Sequence, residues 1–162
     1  MKKAVVSLIV TGMLVSLTAC GSRTAKDAEN IMGDTVTDSE NMEDNAMKIT
    51  AGDTTFMATL ANNSSVEALK ELLAEGPLTI DMSDYASMEK VGPIGTDLPR
   101  NDEQITTGAG DVILYQGNSL VIYYDTNSWN FTRIGKIEGV TGEELLEALG
   151  SGDVTVTFSL EQ

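Results

Sequence analysis

The side chains suited to holding a ligand crowd into one stretch of the chain. Five of its eight aromatic residues, Tyr115, Tyr123, Tyr124, Trp129 and Phe131, fall between positions 115 and 131. Tyrosine and tryptophan join a broad apolar ring to a polar tip, which suits them to line a pocket or stack on a ring. The same rings equally suit a core and its rim. Tyr123 and Tyr124 are neighbours, and neighbours in a strand point to opposite faces, so at least one of them turns away from the core. Upstream, Asp81–Thr107 reads as a long, turn-rich connection carrying Met82, Tyr85, Met88, Pro93 and Pro99, with the cation Arg100 and the amide Gln104. Connections of that length in compact domains are usually functional or partly structured. Met88, Arg100, Gln104, Tyr115, Tyr123, Tyr124 and Trp129 are therefore the candidate cleft residues, as binding groups and without an assigned catalyst.

Composition closes off most reaction classes. The 162 residues include no histidine and one cysteine, which excludes Ser-His-Asp and Cys-His nucleophiles and histidine-held metals. Ten basic residues against 25 acidic ones give a net charge of −15, the wrong sign for phosphate backbones, so no nucleic-acid partner is expected. Acids are too numerous for any spacing to single out an acid–base pair, and no calcium-loop motif is present. Gly108-Ala109-Gly110 lacks the Lys-Ser/Thr that completes a phosphate loop. Neither a metal nor a cofactor is expected.

The single cysteine has a context of its own. Met1-Lys2-Lys3 is a positive start, and Ala4 to Leu17 is an uncharged, largely apolar run. That run is shorter than the roughly 20 residues needed to span a bilayer, so it reads as a signal peptide. It ends in Leu17-Thr18-Ala19-Cys20-Gly21, which resembles the lipobox of bacterial lipoproteins. The resemblance implies removal of residues 1–19 and diacylation of Cys20, and two acyl chains suffice for stable anchoring. It thus implies a bacterial protein, anchored to the cell membrane by lipid and facing the extracytoplasmic side. Residues 20–46 then form a lipidated cysteine and an acidic tether. Seven acids stand there against Arg23 and Lys26 with no aromatic residue, too little apolar surface to offset ordering entropy.

From Met47 the pattern is that of one folded domain, 47–162. Two apolar runs around Gly52-Asp53 read as a hairpin. Ser64 to Glu67 reads as a capping box opening a helix with Val66, Leu69 and Leu73 on one face, ended by Gly76-Pro77. Asp111–Gln116 and Ser119–Asp125 form a second hairpin, Thr132–Ile137 a further strand with a bulge at Gly135, and Thr141–Glu144 a second capping box. Val154, Val156, Phe158 and Leu160 alternate with polar residues in a last strand. The fold class is mainly β with two short helices, closed as a barrel or stacked as a sandwich.

A helix after the first hairpin and another before the last strand resemble a cyclophilin barrel. Ile134-Gly135-Lys136-Ile137, a helix, then Val154–Phe158 is similar to the cyclophilin ending. Asn62-Asn63-Ser64, Glu89-Lys90-Val91 and Gly110-Asp111-Val112 resemble the small bacterial cyclophilin-like domains. The resemblance covers about 47–161 and implies a closed β-barrel. Its catalytic part is not matched. Cyclophilins set an arginine, a phenylalanine and a glutamine around the prolyl ring, whereas residues 81–106 contain no phenylalanine, and Arg100 and Gln104 lie closer together than the cyclophilin pair. Trp129 answers to the cleft tryptophan. The reading is therefore a tethered binding module for a peptide, protein or small molecule. The alternatives are a divergent prolyl isomerase of exported proteins and, from the family's fusions, an accessory domain to redox flavoproteins.

Overall fold

The structure is a computed structural model, and it describes residues 45–161. Cys20 and the tether up to residue 44 lie outside the described residues. In chain order the elements are β1 (Ala46–Ala51), β2 (Thr54–Leu60), α1 (Ser64–Ala74), β3 (Leu78–Tyr85), β4 (Glu89–Pro93), β5 (Glu103–Thr106), β6 (Asp111–Tyr115), β7 (Ser119–Tyr123), β8 (Ser128–Ile137), α2 (Gly142–Leu149) and β9 (Val154–Leu160). Eight strands pair antiparallel in the order β2-β1-β9-β3-β4-β7-β6-β8, and β2 pairs with β8 to close the barrel. Closure leaves these strands no open edge. β5 stands outside this ring, paired with the first half of β8 from Glu103↔Phe131 to Thr106↔Ser128.

Period-two alternation divides the apolar residues between two faces. Leu120, Ile122 and Tyr124 of β7 and its extension turn inward and join Met47, Ile49, Ile134, Val156 and Phe158 in the barrel core. Val66, Leu69 and Leu73 of α1 and Leu145 and Leu149 of α2 pack on the same core. Val121 and Tyr123 turn outward and meet Ile113 and Phe131, with Met88, Val91 and Ile105 beside them. This second, outer cluster is what β5 covers, and it is the floor of the site described below.

Three local readings change. Asp81–Thr107 is not an open connection: it holds the end of β3, all of β4 and all of β5. The β3–β4 turn carries no glycine, because Ala86 and Ser87 themselves adopt the left-handed conformation at φ 54° and 53°, and β4 opens on a charged pair. The first helix has no Ser–Glu capping box. Asn63 caps it instead, with Oδ1 accepting from the Ser65 and Val66 N–H groups at 3.0 Å each. Asn63 Nδ2 also donates to the Arg133 carbonyl at 2.8 Å, so one side chain both caps α1 and ties it to β8. The third change concerns β8, which starts at Ser128. The capping box at Thr141–Glu144 forms as read. A register shift pairs Val112 with Gly135 and Ile113 with Arg133, which leaves Ile134 as the extra residue of a bulge beside the expected glycine.

Candidate functional site

Strand register assembles a cleft on the outer face of the barrel. Tyr85 pairs with Glu89 across β3–β4, and Glu89 pairs with Tyr123 across β4–β7, so the three side chains stand in a row on one face. Val91 follows Glu89 two residues on, Tyr115 comes from β6, Trp129 and Phe131 from β8, and Asn127 from the β7–β8 loop. Together they line a cleft of about 390 Å³. The Phe131 ring is its anchor, edge-on to Tyr115 at 6.4 Å and tilted against Tyr123 at 5.7 Å between centroids. Tyr85 and Trp129 stand at the rim, 63% and 62% exposed. Asn127 is held by Thr107: its N–H donates to Thr107 Oγ1 at 2.9 Å, and the Thr107 N–H returns a bond to the Asn127 carbonyl at 2.7 Å. From that fixed position Asn127 Nδ2 donates to the Tyr123 hydroxyl at 3.2 Å.

Glu89 is the polar group the wall conceals. It is 8% exposed, and its Oε2 is buried with no hydrogen-bond partner. Burial pushes its carboxyl above the ordinary carboxylate range, against the Tyr123 hydroxyl, which favours the charged form. Burial pushes the Tyr123 phenol upward, and the Glu89 carboxyl adds to that. An unpaired buried carboxyl oxygen carries the full desolvation cost. Among the described residues no lysine or arginine lines the cleft. The arrangement offers ring faces, a hydroxyl and one unsatisfied carboxyl to whatever enters.

The cleft gathers Tyr115, Tyr123 and Trp129 of the residues singled out from sequence, and the other four lie elsewhere. Met88 packs at the edge of the outer cluster, and its carbonyl accepts from the Tyr124 and Asp125 N–H groups. Tyr124 faces the barrel interior and hydrogen-bonds Asp84, with Lys90 Nζ 5.6 Å from its ring centre. Lys90 is fully buried there, donating to Asp84 and to the Gly152 carbonyl at 2.8 Å each. The Lys90 hydrogen bond holds the Asp84 carboxyl below its usual range, helped by Tyr124. Arg100 is exposed and ion-paired with Asp102, which also accepts from Thr132 at 2.6 Å. Gln104 lines a separate polar groove with Asn63, Asn101 and Arg133. Sequence reasoning passed over Glu89, Val91 and Asn127, and it noted Tyr85 and Phe131 without counting them among the cleft candidates. The signal for Glu89 was present in the Glu89-Lys90-Val91 run, whose alternation sends the acid outward and the lysine inward once β4 is read as a strand.

A family model described as the cyclophilin-like family matches residues 49–159. The chain belongs to the cyclophilin-like family. No curated protein matches it. Among solved structures, this cyclophilin-like chain is similar to the solution structure of a hypothetical protein from Archaeoglobus fulgidus, at a TM-score of 0.54 and 14% identity, over 72% of this chain and 95% of that one. Likeness at that identity is one of fold, and it agrees with the closed antiparallel barrel. The cyclophilin-like domain thus carries the barrel its sequence suggested, while its arginine and glutamine candidates stand apart from the aromatic cleft.

Proposed function

We propose that this cyclophilin-like domain is a binding module that holds its ligand in the outer aromatic cleft and does not isomerise proline. It works on the extracytoplasmic side of a bacterial membrane, tethered through an acylated Cys20. The observation that carries the reading is the composition of the cleft: among the described residues, five aromatic side chains and a concealed acid surround it, and no cationic donor does. Rotation about an X–Pro bond has a barrier near 20 kcal/mol, and lowering it takes a group that favours the twisted state over the planar one. Arg100, the one cation of the 81–106 segment besides the buried Lys90, is committed to Asp102 outside the cleft. A chromogenic proline peptide mixed with micromolar protein should therefore relax at its uncatalysed rate. Relaxation many-fold faster, abolished by Arg100→Ala, would overturn the reading in favour of an isomerase.

A further inference from the structure

We propose that the ligand of the aromatic cleft is an organic ammonium, a protonated amine on an apolar body, with the Glu89 carboxylate as its counter-ion. The inference rests on the binding-module reading and adds the charge of the ligand to it. Glu89 is more than nine-tenths buried, and its Oε2 lacks a partner, so the site has an acceptor in need of a donor. Glu89 lines the cleft, and the terminal torsion of a glutamate is broad. An ammonium brings both the donors and the compensating charge. A neutral hydroxyl brings a donor without the charge, and an anion brings neither.

The surroundings select the same sign. The faces of Tyr85, Tyr115, Trp129 and Phe131 present negative quadrupole, which attracts a cation within about 6 Å of a ring centre. Among the described residues no basic side chain competes from the cleft wall. Nearby cations are already committed: Lys90 to Asp84 inside the barrel, Arg133 and Lys136 to Asp111, Arg100 to Asp102. The chain's charge of −15 raises the local concentration of cations further. The volume of about 390 Å³ accommodates a ring-sized or butyl-sized body beneath the charge.

Trp129 is the only tryptophan of the chain and stands on the cleft rim, so its fluorescence reads occupancy directly. The full chain carrying Cys20→Ser is titrated with benzylamine, benzyl alcohol and benzoate, three probes of one shape and different charge. Benzylamine should bind tighter than benzyl alcohol by about tenfold or more, with benzoate weakest. In Glu89→Gln the amine and the alcohol should bind within about threefold of each other, with alcohol binding retained. Nα-acetyl-lysine methylamide, titrated alongside, tells whether the ammonium belongs to a lysine side chain (tighter than benzylamine) or to a free amine (weaker). Equal binding of amine and alcohol by the unmodified cleft would overturn the charge assignment and leave the binding module standing. So would an undiminished amine preference in a folded Glu89→Gln. No response to any probe would overturn both. The wild-type ranking decides the matter even if Glu89→Gln does not fold.

Discussion

Glu89 and Lys90 are adjacent in sequence and opposite in circumstance. The lysine turns inward to a carboxylate, a carbonyl and a ring, while the acid turns outward into an apolar wall with one oxygen unpaired. The acid's cost is readable in the pH dependence of stability. Because burial raises its carboxyl above the ordinary 4.5, the folded chain keeps that proton to a higher pH than the unfolded chain does. The contribution of the neutral form is full below the unfolded value and is lost as pH rises through the raised folded value. Glu89→Gln is neutral at every pH and removes this dependence. The melting temperature of Glu89→Gln minus that of wild type should accordingly be more positive at pH 8 than at pH 4. Asp84, whose lowered carboxyl loses stability as pH falls, is common to both proteins and cancels. A gap that does not change with pH would mean that Glu89 is solvated in the folded state.

The elements position the cleft through the seam between β2 and β8. Gly135 sits there because a Cβ would come within 2.5 Å of the Thr59 carbonyl oxygen, a backbone atom that cannot rotate aside. Gly135→Ala should cost about 1–3 kcal/mol, near the upper end, measured by denaturant unfolding. A neutral result would show that the seam gives. This glycine also shows how far sequence reaches. Its place inside a strand marked a bulge, which the structure puts one residue earlier at Ile134, while the close approach to Thr59 shows only in the fold. The flanking hairpins, both helices and the last strand were legible for the same reason: their alternation or 3.6-residue spacing is dense and their turns carry glycine. β3 and β4 were not, since Asp81 and Asp84 in β3 and Glu89, Lys90, Gly92 and Pro93 in β4 are of types depleted in strands. Their turn through Ala86 and Ser87 bears none of the residues that usually mark left-handed backbone. With β4 unread, the register Tyr85–Glu89–Tyr123 that builds the cleft was out of reach. Three rings of the proposed cleft, Tyr115, Tyr123 and Trp129, are among the residues named from sequence, and its acid is not.

At the scale of the whole molecule, the barrel hides most of its apolar surface inside and leaves one outer patch of rings, covered in part by β5. The patch forms a buried cluster of its own, distinct from the barrel core. Among the described residues no helix is long and apolar enough to cross a membrane, and the proposed attachment through Cys20 has a test of its own. Labelled palmitate should enter the intact protein and not Cys20→Ser, and equal labelling of both would remove the tether from the account. Asn45 Nδ2 donates to the Leu60 carbonyl and the Asn45 carbonyl accepts from the Leu60 N–H, so the domain taken as residues 45–162 keeps that tie to β2. The most direct test of the central claim is an amide correlation spectrum of that ¹⁵N-labelled domain through a benzylamine titration. The account predicts saturable shifts centred on the amides of Glu89, Tyr123 and Asn127 and on the Trp129 indole N–H. Shifts centred instead on Asn101, Gln104 and Arg133, or no saturable shift at all, would contradict it.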